Sequence, residues 1–262
     1  MGDMTTTEQP LVGEHSFDAC YYRYYCGKLP YGRNADFLAL FRRFAERIDS
    51  DIGPRKVLDA GCAMGLLVEA LRNRGIEAYG VDLSTYAIGQ VVEPIRPFCW
   101  QGSLTDALTD SYDLIVTIEV LEHMPIRDAE TAIANMCAHT SDVLFSSTPF
   151  NYKESTHVNV HPTHYWVEQF ARHGFFRDVD FDGGFITPWA IRFRKRGEPA
   201  HRIAKDYERR FWEVAAERDE LREQNMLLQQ QLTDLATPVT TLGRVRKVAG
   251  RFKRALLGRT GE

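Results

Sequence analysis

The run Val57-Leu58-Asp59-Ala60-Gly61-Cys62-Ala63-Met64-Gly65 restricts the fold more than any other part of the 262-residue chain. Val57 and Leu58 belong to a short apolar strand, two glycines interrupt it, and Leu66-Leu67-Val68 open a helical pattern that stops at Gly75. A strand that enters a glycine turn and leaves as a helix is the first unit of a parallel α/β sheet. Gly61 permits the tight bend, and Gly65 lets a ligand approach the start of the helix. The spacing is G-x-x-x-G rather than the G-x-G-x-x-G of dinucleotide sites. Asp59 stands two positions before the first glycine. A carboxylate there repels a pyrophosphate and suits a cationic group.

The rest of the pattern is consistent with that start. Asn34 is placed to cap a helix reaching about Ile48, with Phe37, Leu38, Phe41, Phe44 and Ala45 on one face. Strands are expected at 55–60, 77–81, 98–101, 112–118 and 143–147, and helices at 65–74, 84–92, 126–139 and 165–173. Two closing strands, 176–181 and 189–194, flank Asp182-Gly183-Gly184. Such alternation predicts a mostly parallel sheet covered on both faces.

Candidate site residues fall at the carboxyl ends of these strands, where open α/β sheets bind ligands. Asp82, in YGVDLS, can accept hydrogen bonds from both hydroxyls of a ribose. Gln101-Gly102-Ser103-Leu104 follows the third strand and is placed to flank a base. The fourth strand runs into Glu119-Val120-Leu121-Glu122-His123.

Taken together, VLDAGCAMG, YGVDLS and YDLIVTIEVLEHMP resemble the class I S-adenosylmethionine (SAM) dependent methyltransferases over about residues 17–195. The likeness is greatest to the bacterial branch with ubiquinone-type and glycan-modifying O-methyltransferases. It implies a Rossmann-like seven-stranded, mostly parallel sheet with an antiparallel terminal strand pair, and SAM as cofactor. It also implies that Asp59, Gly61 and Gly65 hold the methionine part and Asp82 the ribose. Ser103 and Leu104 would border the adenine, and Glu119 would lie beside the sulfonium. The family pattern has a middle glycine where this chain has Ala63; alanine is the smallest replacement, so binding is still expected, with tighter sterics.

Methyl transfer to a hydroxyl needs a positioned proton acceptor, most often histidine. Two places offer one. His123 is either catalytic or a structural hydrogen-bonding group. In THVNVHPTHY, alternation puts His157, Asn159 and His161 on one side of an extended segment. That trio is either a base with orienting partners or a divalent-metal site; the first is preferred and no metal is assigned, because no carboxylate is adjacent. Phe17, Tyr21, Tyr22, Tyr24, Tyr25 and Tyr31 resemble the variable cap that closes over SAM in this family, and packing against the sheet edge is the plain alternative.

Four regions result: a flexible N-terminus with aromatic cap (1–33), the methyltransferase domain (34–198), a coiled-coil helix (199–237) and a basic amphipathic tail (238–262). Tyr207, Phe211, Val214, Arg218, Leu221, Asn225, Leu228, Leu232 and Leu235 are spaced alternately by four and three, a heptad seam that predicts a homodimer. The tail holds seven Lys/Arg and one Glu, so the net −4 of the chain hides a body of −10 (−4 − 6). The acidic body argues against nucleic acid as substrate. The tail suggests peripheral contact with an anionic membrane and hence a lipid-linked glycan or similar small acceptor. Five scattered cysteines and no secretory signal point to the cytoplasm, and the tail adds peripheral contact with the inner face of the membrane as an expectation. A catalytically silent scaffold of the same fold, an NAD-dependent sugar enzyme and an N-methyltransferase remain the competing readings.

Overall fold

The computed structural model describes residues 12–26 and 29–236. The basic tail, 238–262, lies outside the described residues. Asp18 begins the first helix, α1 (Ala19–Tyr24), by accepting from the Cys20 and Tyr21 N–H groups. Sequence periodicity did not reveal α1, because aromatic residues cover both of its faces. Asn34 caps α2 (Ala35–Asp51) through the Asp36 and Phe37 N–H groups, and this helix buries Phe44, Ala45 and Ile48.

The α/β core follows in strict order: β1 (Lys56–Ala60), α3 (Leu66–Arg72), β2 (Glu77–Asp82), α4 (Thr85–Gly89), β3 (Cys99–Gln101), β4 (Leu114–Ile118), α5 (Ile126–His139), β5 (Asp142–Ser146), α6 (Thr163–Ala171), β6 (Phe175–Arg177) and β7 (Ile191–Lys195). The sheet order is β3-β2-β1-β4-β5-β7-β6. β1 pairs parallel with β2 and with β4, and β7 runs antiparallel between β5 and β6. Strand order therefore reverses at β1: the chain works outward through β2 and β3, then returns to place β4 on the other side. That reversal opens a crevice at the carboxyl ends of β1 and β4.

Side-chain alternation along the strands divides the core into two layers. Val57, Leu114, Val116 and Leu144 pack toward α2 and α3 with Phe44, Ile48, Leu67 and Leu71. Leu58, Ile115, Val143 and Phe145 face α5 and α6 with Ile133, Met136, Trp166 and Phe170. Arg192 pairs with Asp142 across β7 and β5, its Nε 2.9 Å from Oδ1, where both side chains are largely buried.

Several elements are shorter than periodicity suggests. α3 starts at Leu66 because Gly65 takes a left-handed φ of +70° as its N-cap. α4 is little more than one turn, since Pro94 and Gly89 limit it. β6 ends at Arg177, where Asp178 turns away and donates its N–H to the Arg192 carbonyl. The long helix α7 (Ala200–Ala236) follows β7. The chain divides into two compact units at residues 203 and 204. No described helix is long and apolar enough to cross a membrane.

Close packing between α3 and β2 sets the position of the crevice floor. A Cβ on Gly80 would lie 2.7 Å from Cys62 Cβ and 2.9 Å from Val68 Cγ2. Gly80→Ala must therefore push the α3 layer off the strand, at a cost of about 1–3 kcal/mol. Thermal or urea unfolding reads this directly, and wild-type stability in Gly80→Ala would contradict the tight contact.

Candidate active site

The reversal at β1 opens into a cavity of about 440 Å³, within the roughly 300–1,000 Å³ range of small-molecule sites. Its floor is the turn after β1. The Gly61 and Cys62 N–H groups both donate to the Val81 carbonyl, at 2.8 and 3.0 Å, which folds the turn over the end of β2. Gly61 has φ +95°, and a Cβ there would meet Val120 Cγ2 at 2.3 Å, so only glycine fits. Ala63, at φ +46°, also holds a left-handed conformation, which costs a residue with a Cβ about 1 kcal/mol or more. Gly65 does not line the cavity; it starts α3 behind it, 3.0 Å from Cys99 Sγ by its would-be Cβ.

Two carboxylates frame this floor. Asp82 accepts from the Ala63 N–H at 2.7 Å and from the Ser84 N–H at 2.8 Å. Burial raises its carboxyl, and those two donors oppose the rise. Asp59 is 5% exposed and faces the cavity; burial, with the nearby Asp82 charge, pushes its pKa up to about 8. Ser103, Leu104 and Thr105 form the adjoining wall, where the Ser103 and Thr105 hydroxyls lie 2.7 Å apart. Glu119 closes the other side at φ +54°, with Oε1 accepting from Ser146 Oγ at 2.7 Å and Trp189 Nε1 at 2.9 Å.

The roof comes from the N-terminus. Phe17, Tyr21, Tyr22 and Tyr31 line the cavity, whereas Tyr24 and Tyr25 point to solvent. Ser84 ties this roof to the sheet: its Oγ donates to the Phe17 carbonyl at 2.6 Å and accepts the Ala87 N–H. Glu14 bonds Thr85 beside it. Burial raises the Tyr21 and Tyr22 phenols far above their usual range, so both remain protonated donors.

The histidines sort clearly. His123 is buried, with Nδ1 3.1 Å from Thr156 Oγ1 and Nε2 3.4 Å from Tyr21 Oη. Burial, then His157, lowers its pKa to about 3, so the ring is neutral at physiological pH. His157 lies with its ring centroid 4.5 Å from that of His123. Its Nδ1 is 2.7 Å from the Asn151 carbonyl, and its Nε2 is 3.3 Å from Glu154 Oε2. Glu154 also accepts from Thr156 Oγ1 at 2.9 Å. The expected His157–Asn159–His161 trio is not assembled. Asn159 turns inward and donates to the Leu121 carbonyl, and His161 stacks on Tyr165 at 3.8 Å, away from the cavity. The segment is not a regular strand: the Val158 and Asn159 N–H groups both donate to the Glu122 carbonyl, which breaks the alternation. Thr156 and Glu154 were not legible as site residues, because both belong to an irregular segment without a periodic signal; Tyr21 was legible only as part of the aromatic cap, not as a partner of His123.

Glu122 sits beneath this group, fully buried. Burial and the neighbouring Glu119 charge raise its carboxyl well above the usual range, so it carries a proton; Oε1 accepts from the Thr148 N–H, and Oε2 has no hydrogen-bond partner. Glu122, His123 and His157 offer ligand atoms within 4.8 Å of one another and could hold a divalent ion, a possibility the sequence reading did not assign.

A sheet with this order, a glycine turn at the reversal and carboxylates at both adjoining strand ends define the class I methyltransferase architecture. Residues 31–181, more than half of the chain, match the methyltransferase domain family. The chain belongs to that family. Ubiquinone biosynthesis O-methyltransferases are similar in sequence: the one from Methylococcus capsulatus is 32% identical over 38% of this chain and 45% of its own length. The one from Idiomarina loihiensis is also 32% identical, over 42% and 49% respectively. The chain thus spans about half the length of the curated relatives it matches. Among solved structures, magnesium protoporphyrin IX methyltransferase from Synechocystis with bound SAM superposes with a TM-score of 0.54 at 17% identity, covering 74% of this chain and all of that one. An amino pentose methyltransferase from Micromonospora echinaspora gives 0.50 at 12% identity, over 63% of this chain and 93% of its own.

The buried Asp59 carboxyl generates a prediction about the protein without ligand. An unfolded Asp releases its proton near pH ~4, and the folded chain keeps it to about pH 8. Folding therefore takes up a proton across that window, and the Asp59 contribution to stability is full at low pH and is lost as pH rises toward 8. Asp59→Asn removes this loss. Its melting temperature relative to wild type should rise as pH goes from about 5 to 8.5; a pH-independent difference would place the Asp59 proton elsewhere.

Proposed function

We propose that this chain is a SAM-dependent O-methyltransferase acting on a hydroxyl of a sugar, lipid-linked glycan or similar small acceptor. One observation carries the cofactor reading: Asp59, Asp82, Glu119, Asp128 and Glu154 line the cavity, and no Lys or Arg does so among the described residues. Such a wall favours a cationic ligand and opposes a dinucleotide phosphate, which speaks against an NAD-dependent enzyme. Bound SAM supplies an electrophilic methyl on a positively charged sulfur. The residues present fit it: Asp59 can pair with its ammonium, Asp82 can accept from the ribose hydroxyls, Ser103 and Leu104 can flank the adenine, and Glu119 adds negative charge beside the sulfonium.

The protein's own contribution is alignment and proton removal. His123 is ill suited to take a proton, since burial disfavours its cation. It serves instead to hold Tyr21 and Thr156 about the acceptor. His157 and Glu154 are the better pair. With the His157 Nδ1–H given to the Asn151 carbonyl, Nε2 and Glu154 Oε2 present two acceptors 3.3 Å apart. A hydroxyl brought against this pair can donate to one of the two, which receives its proton as the oxygen attacks. The roof of Phe17 and Tyr21 excludes water from this step. A glycan acceptor is supported by Phe150 and Tyr152, 75% and 67% exposed on either side of the cavity-lining Asn151, because apolar ring faces stack on sugars.

Two measurements test the cofactor and base. Asp82→Ala should weaken SAM binding roughly ten- to a hundredfold by calorimetry, because it removes a charged acceptor for two hydroxyls. Absence of SAM binding in the wild type would instead support a catalytically silent scaffold. His157→Ala and Glu154→Gln should each lower turnover about a hundredfold or more while SAM affinity stays near wild type. A normal rate in both variants would remove this pair as the base. Labelled SAM incubated with extract fractions addresses the acceptor: label in lipid-linked or polysaccharide fractions is expected, and label confined to amines of small metabolites would overturn O-methylation.

A further inference from the structure

The long helix α7 leaves a stripe of large apolar side chains uncovered. Phe211 is 70% exposed, Val214 48%, Leu221 54%, Leu228 57% and Leu232 65%. They fall on one seam with Arg218 and Asn225, at alternate steps of three and four. An isolated helix gains nothing from such a seam in water, whereas burial of each residue against a like surface is favourable before ordering costs. The seam lies within the second compact unit, which begins at Ala204.

We propose that α7 pairs with a second copy of this chain as a parallel, in-register, two-stranded coiled coil. The polar positions decide both partner and orientation. With Phe211, Arg218, Asn225 and Leu232 as the a residues, Glu217 precedes a turn as a g residue and Arg222 follows as the e residue five positions on. In a parallel pair each Glu217 meets Arg222 of the other copy, twice per dimer. In the single helix Arg222 is left with Asp219, at 3.2 Å, on the outer side. The two Asn225 amides meet at one layer of a parallel pair and can bond each other. An antiparallel pair would set each against a leucine with its amide unsatisfied. Arg218 also fits: its aliphatic stem covers the seam, and its guanidinium can turn outward to Glu217 of the other copy. Trp212, Met226 and Leu227 lie off this seam and take no part in it.

This proposal does not rest on the catalytic reading. Sedimentation equilibrium of the full chain should give twice the 30.0 kDa chain mass at micromolar concentration. Leu221→Glu with Leu228→Glu should yield monomer that still unfolds at the wild-type temperature of the α/β unit. Glu217→Lys alone and Arg222→Glu alone should each raise the dimer dissociation constant roughly two- to tenfold, and the double exchange should restore it. Asn225→Cys should form a symmetric disulfide under mild oxidation, in excess of any cross-link the wild-type cysteines give. A monomeric wild type, a trimer, charge variants whose effects simply add, or an Asn225→Cys chain that fails to cross-link would each overturn the proposal.

Discussion

The carboxylate of Asp82 holds the site together before any ligand arrives. It stands at the last residue of β2 and takes the Ala63 N–H on one oxygen and the Ser84 N–H on the other. One bond fixes the turn after β1, and the second fixes the start of α4. Ser84 in turn carries the Phe17 carbonyl, so the roof is attached to the same point. Floor, helix and roof therefore share a single half-buried carboxyl group, and the cavity keeps its shape because that group is satisfied by the backbone. Its four lone-pair directions leave room for further donors, which is the condition for a structural carboxylate also to recognise hydroxyls.

Backbone strain collects at the same rim. Ala63 and Glu119 are the non-glycine residues with positive φ among those described, and both border the cavity. Glu119 is held in that state from three sides: Ser146 Oγ and Trp189 Nε1 on its side chain, and the Ser146 carbonyl on its N–H. A residue turned left-handed at a strand end aims its side chain back over the sheet edge rather than along it. The neighbouring buried acids follow a related logic. Asp59 and Glu122 are stable where they are because they hold protons, so the unliganded protein avoids burying several adjacent charges. A cation entering the cavity supplies the compensation that would let Asp59 ionise, which couples occupancy of the site to proton release.

Much of the fold was legible because β1, β2, β4 and β5 are continuous apolar runs bounded by glycine or acid, and such runs in alternation with amphipathic helices admit few topologies. The antiparallel closing pair came with the family resemblance, and the order of the strands is visible only in the structure. What escaped were the short or irregular pieces. α1 has no apolar stripe, since its tyrosines face both the cavity and solvent. The segment 156–161 was read as an extended segment with period two, but the Val158 and Asn159 amides double up on the Glu122 carbonyl. That single bifurcation rotates Asn159 inward and sends His161 to Tyr165, which no count of residues along the chain could reveal.

The separation of the two central histidines shows why proximity alone does not assign chemistry. Their rings are 4.5 Å apart, yet His123 is enclosed by Phe17, Tyr21 and Thr156 while His157 faces a carboxylate. A ring without a nearby anion and without water loses its cation, and its proton inventory stays constant through any ordinary pH. Such a ring can orient neighbours faithfully because it does not titrate. The ring beside Glu154 is placed differently: its Nε2 lies 3.3 Å from a carboxylate oxygen. Two side chains of one type in one cavity thus have different surroundings: an enclosed ring held by hydrogen bonds, and a ring beside the carboxylate that Asn151 and Thr156 hold in place.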